Sequence, residues 1–552
     1  MKPFHVGILI IISLLHMLSS CNNEEKLTTE ASDTIKFLNE NEAISGWYSF
    51  PFKLCIDSSK YITINSSSKH STYYDNIFAE ENIVSGNALY VDSNLLKGKL
   101  LANDSTLMET DLEKWFPIKK WVKPKSKNIK IGVPVFFNDT INNVLRSEIY
   151  FDKSKKLEDK ALTLSLLIDP KDLIDFETGI YVQGINKDVK KPKKGNYSER
   201  GSKWQRKAKA HLFNNKGLLL LASEVGIRTH GNLSRAQPQK SFSLLFNKRF
   251  NSNKPVLDVF GKVKKINRLI LRTPFCSYMH GQSVLQDPFI SNIAKKMNLE
   301  AMGFAPTNLY INGEYWGLYY LREKIDEHFL SQEYNVSKKS ISIVEFSRSV
   351  GDGYLESYGE KSEFISLINF LDTNQLSTED EYIYLSEKIH INNLIDYLIL
   401  NTFFANRDWP SNNYKFWKSN ELDNKWRFII QDMDACFFIK DNMFEYILAK
   451  NETSGNNISK STVLFRNVFN NNLFVETFKN RYRELQETLL NPEILNAELD
   501  IMATKLDPSI DYQVKRWGMP ESKERWLVKI NKMKSYFKKR HKIYSRHLSK
   551  IR

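Results

Sequence analysis

Cysteine is scarce: the 552 residues hold four, Cys21, Cys55, Cys276 and Cys436. Their spacing fits neither a zinc site nor a Cys-x-x-Cys redox pair. With Cys21 set aside, the other three are an odd set, which argues against a full disulfide framework and for buried free thiols. The ten histidines are scattered singly, with no two at helical ligand spacing, so a histidine-based metal centre finds no support. There is no internal repeat, no Walker A and no Gly-x-Gly-x-x-Gly stretch. After the N-terminal leader, no segment is apolar and long enough to be a membrane helix. The stretch from Trp526 to Arg552 lacks Asp and Glu altogether and reads as an amphipathic basic helix with a solvated face.

What the chain does have is aromatic content and positive charge. An apolar fraction of 41%, with 34 Phe, 25 Tyr and 10 Trp, fills real cores, and the length calls for two or three domains. The net charge of +15 favours an anionic partner such as a nucleotide, a phosphate, an acidic polymer or a lipid headgroup. The first residues read as an address. Lys2 precedes an apolar run over residues 6–15, too short to span a bilayer, which ends in Leu18, Ser19, Ser20 and Cys21. That ending looks like a bacterial lipobox, in which the Cys21 thiol carries the lipid. Two or more acyl chains anchor stably where one does not. The expected location is therefore the bacterial cell envelope, lipid-anchored at the outer membrane or cell surface. Export of this kind sets nucleic acid aside as a partner.

Residues 1–21 are thus a signal peptide and 22–40 a polar tether. Residues 41–155 alternate short strand-like pieces with turn residues, the pattern of a small all-β sandwich. From 160 to 550 the pattern is α+β. Strands are expected at 162–168, 179–184 and 241–246, and a helix at 284–298. The Lys- and Arg-rich piece from Lys187 to Lys209 reads as a mobile loop. A β-hairpin is expected around Asn312-Gly313, where the turn pair sits between aromatic and β-branched flanks. Helices follow through 361–404, then a strand at 426–430.

Two acidic clusters could carry chemistry. One runs from Asn406 to Asn413, the other from Gln431 to Asp434. Phosphoryl transfer needs one carboxylate to orient the attacking hydroxyl, and further carboxylate and amide oxygens to hold a divalent cation against phosphates. Asp408 and Asn413 are five residues apart, the interval between the base and the metal-binding Asn of a protein-kinase catalytic loop, and Asp432 with Asp434 follows the next strand. Lys240 opens a strand from which its ammonium could reach phosphate oxygens. The preceding run Gly226 to Arg235, which includes Arg228, suits a loop closing over an anion. Asp287 is the candidate acid to pair with Lys240. The chain order from Lys-bearing strand to Asp-x-Asp is that of a bilobal kinase.

These motifs together resemble the CotH kinase family. The likeness spans most of 160–550 and includes residues 179–182, 226–235, Pro238 to Ser241, Asn312 to Tyr319 with Glu323, Asp408 with Asn412 to Tyr414, and Trp426 with Asp432 and Asp434. The resemblance implies an atypical bilobal kinase-like fold, use of ATP with Mg2+ or Mn2+, and phosphorylation of a protein substrate on Ser. It makes Asp408 the catalytic residue and Asp432 a metal ligand, with Asn413 and Asp434 beside it. Trp426 would lie against the nucleotide, and Lys240 would bind phosphate. The lipobox and the leading β-region depart from a spore-coat role. Two other readings stand beside the kinase: a catalytically inactive surface-binding or structural lipoprotein on the same scaffold, and a metal-dependent hydrolase built on Asp432 and Asp434.

Overall fold

The structure is a computed structural model. It describes residues 157–551 except 189, 192–193, 275–282, 347–352, 411 and 449–457, together with separate pieces of 35–156. The lipobox lies outside the described residues. Two compact units emerge. The first comprises residues up to 100 with 127–156 and 312–314, and the second comprises 101–126, 157–311 and 315–552.

Among its described residues the first unit is built of strands, with a short 3-10 turn at Lys153–Lys155. Ile35–Leu38, Phe52–Ile56 and Ala88–Val91 form one sheet. Gly46–Tyr48, Val144–Asp152, Gly132–Asp139, Tyr61–Ile64 and Ile83–Val84 form another.

The second unit is α+β. Its first part is a closed barrel of seven strands: β1 (Leu162–Ile168), β2 (Arg206–Phe213), β3 (Leu219–His230), β4 (Ser241–Leu245), β5 (Arg268–Arg272), β6 (Ala305–Ile311) and β7 (Glu314–Glu323). The order around it is β2-β3-β4-β5-β7-β6-β1. The β6–β7 turn is the expected hairpin, with Asn312 at φ 50° and Gly313 at φ 82°, the left-handed pair that an Asn-Gly turn supplies. Successive strand residues point to opposite sides. One set, including Ile227, Phe242, Leu244, Leu271, Tyr319 and Leu321, fills the barrel. The other set faces outward, where Tyr320 donates to the Val284 carbonyl at 2.7 Å and Arg322 meets the helix Gln286–Lys296.

The second part combines a five-stranded sheet with helices. The sheet runs Glu300–Ala301, Arg427–Ile430, Lys415–Ser419, Ile341–Phe346, Tyr354–Tyr358. The helix Ile391–Phe403 is buried along most of its length. The terminal helix Lys523–Leu548 buries Trp526, Ile530, Met533, Phe537, Tyr544 and Leu548, spaced at the helical period. That stripe packs into the core together with Arg540, whose guanidinium donates to the Phe403 and Thr402 carbonyls at 2.8 Å, and the exposed lysines between occupy the remaining face.

Two local expectations give way. Residues 179–184 form no strand, because their backbone finds partners elsewhere: Ile180 N–H donates to the Asp172 carbonyl and Tyr181 N–H to the Leu173 carbonyl, both at 2.8 Å. The segment read as a mobile basic loop contains the short turns Asn196–Ser198 and Ser202–Trp204 and the start of β2. Its Tyr197 is fully buried.

Candidate functional site

The loop after helix Ile391–Phe403 begins with Ala405 in the left-handed region at φ 51°. The buried Asn406 then stitches it down. Its amide donates to Asn401 Oδ1 at 3.0 Å and Met433 Sδ at 3.3 Å, and its Oδ1 accepts from Asp408 N–H at 3.2 Å. Arg407 N–H reaches the Ala435 carbonyl at 2.9 Å. The fully buried Trp409 packs on Phe465 at 4.9 Å between ring centroids, so the chain is pinned immediately beside the exposed Asp408. Asn413, also left-handed at φ 54°, donates from Nδ2 to Asp408 Oδ2 at 3.0 Å.

Strand Arg427–Ile430 delivers the second cluster. Asp432 takes left-handed geometry, φ 54° and ψ 57°, and turns the chain so that Asp432 and Asp434 present oxygens to one point. The atom there is Arg272 Nη2, which donates to Asp432 Oδ1 and to Asp434 Oδ2. Behind them Asp287 accepts from Met433 N–H at 3.1 Å and from Arg322, and Arg272 Nη1 is 3.8 Å from the same carboxylate. Burial pushes Asp432 upward, but Arg272, and then Arg322, outweigh it and hold its carboxyl below the usual range. At Asp434 burial prevails over Arg272, and with the neighbouring Asp432 charge it raises that carboxyl. The two side chains keep 39% and 28% of their surface open, so solvent moderates both effects. The Cys436 thiol is pushed well up, by burial first and then by Asp434, Asp408 and Asp432.

Among the described residues, no three Asp, Glu, His or Cys side chains already surround a common metal position. A preformed cage is not what magnesium requires. It takes one or two carboxylates and completes its shell with phosphate oxygens and water. Asp432, Asp434 and the Asn413 amide oxygen are hard donors of the right kind, and Arg272 now supplies the positive charge between the two acids.

Comparison with known proteins bears on this arrangement. The family described as "CotH kinase protein" matches residues 227–544. The chain belongs to the CotH kinase family. The matched span takes in both acidic clusters, Asp287 and the barrel strands β4 to β7. Among solved structures, the crystal structure of a Helicobacter pylori proinflammatory kinase, CtkA, is similar at 10% identity, covering 53% of this chain and 99% of that one, with a TM-score of 0.24. No curated protein matches.

In this CotH chain, Asp408 and Asn413 adjoin one another, and Asp432, Asp434 and Asp287 share a network with Arg272. The other expected residues lie differently. Lys240 is 1% exposed; its ammonium donates to the carbonyls of Arg235 and Gln237, each at 2.8 Å, and sits over the Tyr197 and Tyr181 rings at 4.1 and 5.1 Å. Burial lowers its basicity strongly. It ties down the loop after β3 instead of reaching toward the acids, and the expected Lys240–Asp287 pair is replaced by Arg322–Asp287. Trp426 is also a core residue at 2% exposure, edge-on to Phe364 and Phe416 at 5.3 and 5.5 Å, so its ring offers no open face to a nucleotide. Arg228 is half-buried on the outer barrel face. Arg272 and Arg322 escaped sequence reading. The signal was present in β5, where charged residues at both ends of Arg268–Arg272 bracket an apolar core at even spacing and so share one face.

Proposed function

We propose that this CotH protein is an exported, membrane-anchored atypical protein kinase that transfers the γ-phosphoryl group of ATP to Ser or Thr of surface or secreted proteins. The observation that carries this reading is the junction of Asp408–Asn413 with Asp432–Asp434, made by Asn406 donating to Met433 Sδ and Arg407 N–H donating to the Ala435 carbonyl. The barrel and the helical part serve as the two lobes. Asp408 accepts the proton of the substrate hydroxyl as its oxygen bonds to the γ-phosphorus and the bond to the β,γ-bridging oxygen breaks, releasing ADP. Asp432, Asp434 and Asn413 would hold Mg2+ or Mn2+, which neutralises phosphate charge. Arg272 must then release at least one carboxylate. Its presence between them favours a second reading, a scaffold that binds without transferring.

One pair of measurements separates the two. With labelled ATP and Mg2+, a kinase labels a protein in envelope extract, and its thermal midpoint rises by several degrees with ATP and metal. A scaffold labels nothing, and a flat thermal response removes the nucleotide site altogether.

For the N-terminus we propose a lipobox at Cys21, with the two N-terminal sheets forming a sandwich that spaces the kinase part from the membrane. Cys21→Ser is expected to shift the protein from the membrane fraction to the soluble fraction and abolish palmitate labelling. Unchanged membrane retention would remove the anchor from this account.

A further inference from the structure

The burial of Lys240 leaves the proposed nucleotide site in need of another cation for phosphate, and the outer barrel face supplies several. Register pairs Arg228 with Ser243, Ser243 with Ile270, and Ile270 with Arg322. Two residues on, His230 pairs with Ser241 and Arg272 with Tyr320, roughly 7 Å further along the strands. Arg268 stands at the opposite end of β5, across from Lys324, the residue after β7.

These cations divide into two groups. Arg272 and Arg322 are neutralised by Asp432, Asp434 and Asp287. Arg228, Arg268 and Lys324 make no ion pair among the described residues. The Nε–H groups of Arg228 and Arg268 are buried without a hydrogen-bond partner. The like charges of Arg268 and Arg200 act on Arg228, and those of Arg268 and Lys415 on Lys324. Asp326 and Glu345 offset part of this at Lys324, and Asp326 lines the same cleft as Arg268 and Lys324 without pairing with either. His230 lies among Arg272, Arg235, Lys324 and Arg228, and burial followed by these charges pushes its imidazole down to about 3, so it adds no charge at neutral pH. Arg235 is committed elsewhere, donating to the carbonyls of Gly231 at 2.7 Å and Glu199 at 2.9 Å.

Like charges held together with unused donors raise the energy of the free protein, and a multivalent anion relieves both costs at once. We propose that Arg228, Arg268 and Lys324 form a polyphosphate-binding face that takes the phosphates of the nucleotide in the role expected of Lys240. The face runs along β3 and β5 and ends at Arg272 beside the acid pair, so a bound triphosphate can place its terminal group next to Asp432 and Asp434. This inference rests on the nucleotide-site reading but is tested without catalysis.

The probe is inorganic tripolyphosphate with the full chain in EDTA, read by thermal shift and calorimetry. Binding is expected without metal and should weaken steeply with salt. Arg228→Gln, Arg268→Gln and Lys324→Gln should each raise Kd at least tenfold, the range for a lost charged hydrogen bond (~1.5–3 kcal/mol). Arg268→Lys should retain more affinity than Arg268→Gln, and Lys539→Gln, an exposed lysine on the terminal helix, should change nothing. Ligand-free midpoints of the variants show that they fold. Tripolyphosphate binding that is absent, or indifferent to all three glutamine substitutions, overturns the proposal. Binding that depends on them with no ATP turnover upholds the face and instead removes the kinase reading.

Discussion

Asp408→Ala is expected to cut phosphoryl transfer to protein by roughly 10²–10⁴-fold, the usual contribution of a positioned general base, while changing unfolding stability by no more than about 0.5–1 kcal/mol. The asymmetry follows from placement. The carboxylate is exposed and receives the Asn413 amide, whereas the groups that shape its loop are Asn406 and Trp409, both buried. Removing the carboxylate leaves those contacts in place. Initial rates with labelled ATP, set beside the denaturation midpoint, check the prediction. Wild-type transfer rates in a folded Asp408→Ala protein would refute the base assignment. Loss of folding with loss of activity would show that Asp408 belongs to the loop's scaffold.

The second large effect is on stability. Asp287→Ala should destabilise the second unit by about 3–5 kcal/mol, because it strips the partner from a buried charge. Asp287 and Arg322 are 2% and 1% exposed, and Arg322 is further held by Ser291 Oγ at 3.0 Å and the Gly303 carbonyl at 3.2 Å. Burial, with Arg272 acting the same way and Asp434 and Asp432 opposing, already pushes the Arg322 guanidinium down to about 9. Without Asp287 this cation stays in the interior, and Met433 N–H loses its acceptor. The double variant Asp287→Leu with Arg322→Met should regain most of the loss, since replacing both members of a buried pair by apolar groups is often neutral. Chemical denaturation of the single and double variants measures this. A loss below about 1 kcal/mol in the single variant would contradict so deeply buried a pair.

Legibility in the sequence followed the range of the interaction. The Asn312-Gly313 hairpin was readable because an Asn-Gly pair favours left-handed backbone wherever it stands. The terminal helix was readable from periodicity, but its burial was not: a stripe of Trp, Ile, Met and Phe between lysines is compatible with either solvent on one side or a core on it. Residues 179–184 have strand composition yet bond to carbonyls of a preceding helical turn, a choice that propensity does not contain. Lys240 misled for a related reason. A lysine opening a strand can point to either face, and the rings that receive it belong to Tyr181 and Tyr197, in segments read as a strand and a mobile loop. Trp426 shows the same ambiguity, since an aromatic that could stack on a base packs equally well on Phe364 and Phe416.

From sequence alone come the local facts: Asp408 and Asn413 in one loop, Asp432 and Asp434 after one strand, and the succession of strands and helices that carries them. These depend on turn chemistry, alternation and helical period, all of which act over a few residues. Tertiary structure alone decided which cation meets which acid. Barrel closure turns Lys240 inward, brings Arg272 to the aspartates and Arg322 to Asp287, and leaves Arg228, Arg268 and Lys324 without an ion pair among the described residues. Such pairings arise from strand register and the burial of distant segments, and electrostatic energy depends on the distances these set, which order along the chain does not record.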